Sequence, residues 1–192
     1  MSGSAGERLI IITAPSGSGK STLVRYLLRT MPELAFSVSA CTRSPRVGEE
    51  HGVSYYFISV HDFQEKINSG DFAEYEMVYE GKYYGTLNSE LARIWENKQY
   101  PLVDIDVQGA LRLKAKFGEH ALSLFIKAPS MAELEKRLRG RGTETDDSLR
   151  ERLNKAEDEL TYAHRFDACI VNDQLEQACE EARAHILTFL TL

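Results

Sequence analysis

The residues best suited to chemistry stand near the amino terminus, in the run Ala14-Pro15-Ser16-Gly17-Ser18-Gly19-Lys20-Ser21. Its glycines let backbone N–H groups curl around an anion without Cβ clashes. The helix that such a loop opens adds the positive end of its dipole. Lys20 offers a mobile cation to the β- and γ-phosphates of a nucleoside triphosphate, and the Ser21 hydroxyl is placed to reach Mg2+. The usual phosphate-loop pattern begins with glycine. Here Ala14 takes that place, and alanine holds the turn if its φ is negative. A Gly/Ser turn that binds nothing is the bland reading, but Gly-Lys-Ser directly after an apolar strand is rarely accidental.

Three further sets of charged residues stand downstream. Arg43 and Arg46 sit three apart around Pro45, and two guanidinium forks can grip one phosphate dianion. Either arginine alone reads as a solvated surface charge. Two arginines flanking a proline, in a segment rich in tyrosine, shift the pair towards an anion site. Asp104 and Asp106 are two apart in a strand-like run, hence on one face, at the carboxyl end of a core strand, where open α/β sheets bind ligands. Ordering of Mg2+ waters or support of Lys20 is one job for the pair, and Asp106 is the better candidate for ligand contact. A cap on the helix near Gln108 is the bland reading for one of the two. Arg137, Arg139 and Arg141 precede Gly142, and Arg152 follows on the next helix. A glycine-interrupted lid carrying guanidiniums over phosphates is the functional reading, and pairing with Glu133, Glu135 and Glu151 engages some of these arginines in any case.

The elements that must position these groups alternate. Residues 9–13 are a β-branched apolar run, which suits a strand buried on both faces. The glycine loop follows, then a helix over 20–30 stopped by Pro32. Residues 36–95 differ in texture, rich in Tyr, Ser, Gly and charge, with a strand-like piece at 55–58 and a helix over 62–68 ended by Gly70. The α/β rhythm resumes with strands at 102–106 and 121–126. Ser130 caps a helix, with Glu133 at the capping-box position. A long amphipathic helix over 147–164, a strand at 169–171 and a helix over 175–190 complete the chain. Strands alternating with helices imply a mostly parallel sheet.

Bulk composition bounds the rest. With 192 residues, 43% hydrophobic and 27% charged, the chain suits one compact α/β domain with at most a small insertion. A formal net charge of -6 argues against a general nucleic-acid binder, which needs Lys and Arg to neutralise phosphates, and against the tyrosines as a base-stacking platform. Cys41, Cys169 and Cys179 match no zinc or redox spacing and read as reduced structural thiols. The five histidines are scattered and carry no assigned role. No apolar run approaches a membrane span, and the opening MSGSAGE is no signal peptide, so a cytoplasmic protein is expected.

Taken together, the motifs resemble the guanylate kinase family over nearly the whole chain. The resemblance rests on Ala14 to Thr22, on Ser39-Ala40-Cys41-Thr42-Arg43-Ser44-Pro45-Arg46-Val47-Gly48-Glu49, and on Tyr83-Tyr84-Gly85-Thr86. Asp104-Ile105-Asp106-Val107-Gln108-Gly109, Arg137-Leu138-Arg139-Gly140-Arg141-Gly142-Thr143-Glu144 and Ile170-Val171-Asn172-Asp173 complete it. The phosphate loop alone says only that a nucleoside triphosphate binds; the combination is far more specific.

The resemblance implies a P-loop parallel-sheet core flanked by helices (1–38 and 96–192), a small mixed α+β GMP-binding insert (39–95) and a short helical lid (about 138–153). It implies transfer of the ATP γ-phosphoryl group to GMP and dGMP with Mg2+, held by Ser21 and, through water, Asp104. Ala14, Pro15, Ser16, Gly17, Ser18, Gly19, Lys20, Ser21 and Thr22 bind ATP, and Asn172 and Asp173 lie near the adenine; a plain turn suits those two equally. Arg43 and Arg46 hold the GMP phosphate with Tyr55 and Tyr84. Glu74 reads guanine, with Ser39, Gly85, Thr86 and Asp106 around it. Lys20, Arg46, Arg137, Arg141 and Arg152 carry catalysis. The Glu74 assignment has clear chemistry: guanine offers donors at N1 and N2, and adenine would leave the carboxylate unpaired. A kinase of another monophosphate is the nearest rival, and a protein-interaction module with a converted GMP site is the second. The oligomeric state is open, a homodimer included.

Overall fold

The computed structural model describes residues 7–79, 81–140 and 146–191. The chain opens with β1 (Leu9–Thr13), whose five residues are all buried. Its side chains alternate between two cores. Ile10 and Ile12 face Leu23 and Leu27 of α1 (Lys20–Thr30) and Ala182 and Ile186 of α7 (Leu175–Thr191). Leu9 and Ile11 face the opposite way, onto Leu91 of α3 (Asn88–Glu96) and Ala110 and Leu113 of α4 (Val107–Phe117). A strand with helices on both faces is apolar along most of its length, which is why Leu9 to Ile12 show no polar alternation. Truncating one such side chain, as in Ile11→Ala, costs about 2–5 kcal/mol.

The main sheet is parallel, built from β1, β2 (Leu34–Phe36), β7 (Tyr100–Asp104), β8 (Ala121–Lys127) and β9 (Ala168–Val171), in the order β2-β7-β1-β8-β9. Central β1 therefore has β7 on one side and β8 on the other. Two helices, α5 (Met131–Arg139) and α6 (Asp146–Leu160), pack together between β8 and β9. The Ser130 hydroxyl accepts the Glu133 N–H at 3.1 Å, the expected cap.

A second sheet, order β4-β3-β6-β5, is built wholly from residues between β2 and α3. It comprises β3 (Ala40–Cys41), β4 (Tyr56–Phe57), β5 (Phe72–Tyr79) and β6 (Lys82–Leu87), with α2 (Val60–Asn68) packed on it. Its own small core holds Ala40, Phe63, Phe72 and Leu87, with the Phe63 and Phe72 rings stacked at 4.3 Å.

Several boundaries move from their sequence-based positions. The second helix begins at Val60, because the Ser59 hydroxyl accepts the Asp62 N–H at 3.0 Å and so caps it two residues early. The helix expected over 147–164 runs Asp146–Leu160, with a separate 3₁₀ turn at Ala163–Arg165. The strand expected over 102–106 spans Tyr100–Asp104, so Asp106 has already left the sheet.

Candidate active site

The loop after β1 turns through Gly17 and Gly19, whose φ angles of 93° and 91° lie in the left-handed region. Among the described non-glycine residues only Lys98 has positive φ, so Ala14 holds its turn as expected. A Cβ on Gly19 would lie 2.2 Å from the Asn172 amide nitrogen. That amide donates to the Ser18 carbonyl at 2.8 Å, and the Asn172 backbone is tied to Lys127 of β8 and to the Arg137 guanidinium. Asn172 is thus a brace: it leaves β9 and fixes the phosphate loop from two strands away. This role has no signal in the local sequence, since the partners stand 154 residues apart. Asp173 beside it is exposed.

Lys20 forms an ion pair with Asp104, and its ammonium also donates to the Ile105 carbonyl at 3.3 Å. Sheet register explains the meeting. Asp104 pairs with Ile12 across β7 and β1, so it emerges beside the start of the loop. Of the tasks open for Asp104, support of Lys20 is present in the structure. Ser21 and Thr22 are exposed at the start of α1. Thr13 Oγ1 and Ser18 Oγ are buried without a hydrogen-bond partner.

In the small sheet, Glu74 and Thr86 face each other across β5 and β6. Glu74 Oε1 accepts the Thr86 N–H at 3.1 Å and the Thr86 hydroxyl at 2.8 Å. Glu74 is only 6% exposed. Burial pushes its carboxyl up to about 7; the Thr86 donors oppose the rise and the Asp106 charge adds to it. Its Oε2 lies against α4, where a Cβ on Gly109 would sit 2.7 Å away. Glycine at 109 is what allows the helix so close to this carboxylate. Asp106 is the N-cap of α4, accepting the N–H groups of Gln108 and Gly109 at 2.8 and 3.0 Å. The expectation that Asp104 and Asp106 share one strand face is therefore corrected: the capping geometry turns the backbone out of the sheet between them. Ser39 is buried at the crossing between the two sheets.

Arg43 is held by Glu49, its two terminal nitrogens donating to the two carboxylate oxygens at 2.5 and 2.6 Å. Its guanidinium lies 4.9 Å from the Tyr55 ring centre and 5.6 Å from that of Phe57, and Tyr55 meets Tyr84 edge-on at 6.0 Å. Arg43 Nε is buried and has no partner. The same Glu49 accepts the backbone N–H of Arg46 at 2.8 Å, while Arg46 itself is exposed. The Arg43 forks hold the Glu49 carboxyl down at about 2, and the pairing raises the already high Arg43 value. In the sequence Glu49 stands out only as the end of a motif. The structure makes it the clamp that gathers Arg43 and the backbone of Arg46.

Arg137 pairs with Glu133 at 3.0 Å and Arg139 with Glu135 at 2.9 Å, the expected i,i+4 partners. Arg137 reaches further, donating to the Asn172 carbonyl at 2.9 Å. Arg152 on α6 donates to the Ser16 hydroxyl at 3.3 Å, which brings α6 to the phosphate loop. Arg141 and Gly142 lie outside the described residues.

Some of these groups converge, whereas Arg43, Arg46, Arg137, Arg152 and Asn172 do not line the shared space. One cavity of about 320 Å3 has Lys20, Ser21 and Asp104 on one wall and Ser39, Tyr55, Glu74 and Tyr84 on the other. Gly85 and Asp106 also line it. A hydroxyl and carboxylate oxygens beside a phosphate loop are the hard donors that Mg2+ prefers.

A phosphate loop on the central strand of a parallel sheet, opening onto a cavity whose far side is built by a second small sheet, defines a P-loop phosphotransferase. Comparison with known proteins narrows the class. Residues 6–188 match the guanylate kinase family model. The chain is 47% identical to the guanylate kinase of Salinibacter ruber over 185 residues, covering 96% of this chain and 98% of that one. It is 46% identical to that of Porphyromonas gingivalis over 184 residues, covering 95% and 98%. The crystal structure of guanylate kinase from Anaplasma phagocytophilum superposes with a TM-score of 0.73 at 30% identity, over 91% of this chain and 81% of that one. The chain belongs to the guanylate kinase family, and it is a nucleoside monophosphate kinase that phosphorylates GMP at the expense of ATP.

Proposed function

We propose that this chain moves the ATP γ-phosphoryl group to GMP, and to dGMP, by positioning and electrostatics alone. The observation that carries this mechanism is the shared cavity: donor-side Lys20 and Ser21 and acceptor-side Glu74 and Tyr55 line one space. In this reading loop residues 14–22 cradle the ATP phosphates with backbone N–H groups, and Lys20 leaves Asp104 to follow the migrating phosphoryl group. Asn172 and Asp173 border the adenine. Arg43, Arg46, Tyr55 and Tyr84 hold the GMP phosphate. Glu74, flanked by Ser39, Gly85, Thr86 and Asp106, reads the base. Arg137, Arg141 and Arg152 neutralise charge from the lid side, where one arginine contributes several powers of ten. Segments 39–95 and about 138–153 act as the acceptor-binding unit and the lid, closing over the bound pair and excluding water.

No general base is required, because the attacking phosphate oxygen is anionic near neutral pH. Ser21, and Asp104 through water, are the residues that would hold Mg2+, which supplies charge screening between the two phosphate groups. The unpaired cysteines Cys41, Cys169 and Cys179 accord with a reducing compartment, the cytoplasm. No described helix is long and apolar enough to cross a membrane.

The test is a coupled ADP-release assay across the nucleoside monophosphates, with and without Mg2+. GMP should exceed AMP in kcat/KM by roughly 10⁴-fold, the discrimination expected when a buried polar reader is left unpaired, and chelation should remove the activity. Comparable turnover of AMP or UMP would overturn the base-reading assignment.

A further inference from the structure

We propose that Glu90, outside the cavity, is a positioning residue for the acceptor site, holding at one buried carboxylate the segments that carry Ser39 and Tyr55 into β3 and β4. The inference rests on the reading of those two residues as GMP contacts. Glu90 stands in the first turn of α3 and is 3% exposed. Both its oxygens are used. Oε1 accepts the Val38 N–H at 3.1 Å and Arg93 Nη2 at 2.8 Å; Oε2 accepts the Tyr56 hydroxyl at 3.1 Å and Arg93 Nε at 2.9 Å. Burial opposes the charged form, and the Arg93, Val38 and Tyr56 donors outweigh it, so the carboxyl is held below its usual range.

The location gives this carboxylate its consequence. The chain passes from the main sheet to the small one within three residues. Ser37 N–H donates to Leu102 of β7 at 2.9 Å, Val38 N–H donates to Glu90, and the Ser39 carbonyl accepts the Tyr56 N–H at 2.9 Å. Ala40 then pairs with Gly85 in the small sheet. The return passage is α3 itself. Glu90 therefore touches both crossings and one strand of the small sheet. Tyr56 turns its hydroxyl to Glu90 while its neighbour Tyr55 lines the cavity. Likewise the Val38 amide is anchored while its neighbour Ser39 lines the cavity. A shift at Glu90 is passed to both acceptor-site residues and to none of the phosphate loop.

The test separates positioning from stability. Glu90→Leu keeps an apolar group of similar length and removes every acceptor. It should raise the KM for GMP about tenfold or more, with the KM for ATP within about twofold and kcat at saturating GMP far less affected. Glu90→Gln, which can still accept from Val38 and Arg93 Nη2 and donate to the Tyr56 oxygen while losing the Arg93 Nε bond, should recover part of the GMP affinity lost in Glu90→Leu. Tyr56→Phe should raise the GMP KM by about threefold. A Leu variant with lower Tm but both KM values unchanged would overturn the proposal. Should that variant fail to fold, Tyr56→Phe decides alone, an unchanged GMP KM being the overturning result. Ser39→Ala and Tyr55→Phe serve as controls. If neither moves the GMP KM, the acceptor-site reading fails. If both do while the Glu90 and Tyr56 variants do not, only the positioning role falls.

Discussion

Replacing Glu74 by glutamine should weaken GMP binding, flatten its pH dependence and stabilise the ligand-free protein. Guanine donates at N1 and N2, so it needs the ionised carboxylate. Burial lifts the Glu74 carboxyl from an ordinary 4.5 to about 7. The ionised fraction is then about 0.9 at pH 8 and about 0.1 at pH 6, and affinity scales with the competent fraction. GMP should therefore bind about tenfold more weakly at pH 6 than at pH 8. The GMP phosphate titrates near pH 6 as well, so calorimetric titrations of the wild type and Glu74→Gln are compared at each pH, and the ratio isolates the carboxylate. Stability runs the other way. A folded-state value above the unfolded one means that the folded chain binds more protons between pH 4.5 and 7. Stability thus falls as pH rises across that window, and the cost, on the order of 3 kcal/mol, is complete above pH 7. Glu74→Gln should raise Tm at pH 8 by about 5 °C or more and change it little at pH 4.5. A wild-type to variant affinity ratio that stays flat from pH 6 to pH 8 would refute the reasoning.

Three more outcomes are expected. Lys20→Ala removes the cation paired with Asp104 and should lower kcat by at least about 10³-fold, while calorimetry shows GMP affinity within about threefold; substantial residual turnover would contradict the loop assignment. Asn172→Ala leaves the Ser18 carbonyl without its donor, costing about 1–3 kcal/mol by chemical denaturation, and should raise the KM for ATP and not for GMP. Gly109→Ala gains about 0.5–1 kcal/mol of helix propensity but puts a Cβ 2.7 Å from Glu74 Oε2. The displaced carboxylate should raise the GMP KM and narrow the GMP-to-AMP preference, read from initial rates with each nucleotide.

The phosphate loop was legible in the sequence because its parts are contiguous: an apolar strand, glycines at the turn, and Lys20 and Ser21 opening a helix. The order of the core elements was legible for the same reason, since periodicity reports local burial, whereas β2, β3, β5, β6 and α3 left no such pattern and were not read from the sequence. Even the Ser130 cap followed from four consecutive residues. Element ends were less legible where a single side chain decides them, as Ser59 does for α2 and Asp106 for α4. The site's internal bonds were the least legible. Glu74 meets Thr86 through strand register, Asp104 meets Lys20 because β7 lies beside β1, and Asn172 reaches Ser18 from the far end of the chain. Glu49 claims Arg43, and Glu90 joins Val38 to Tyr56, though nothing in their spacing says so. Composition and periodicity determine which segments are buried and how each is coiled, because those depend on neighbours three or four residues away. Which buried donor meets which acceptor is decided only when sheets set their register and crossovers bring distant segments together, and that is a property of the tertiary structure.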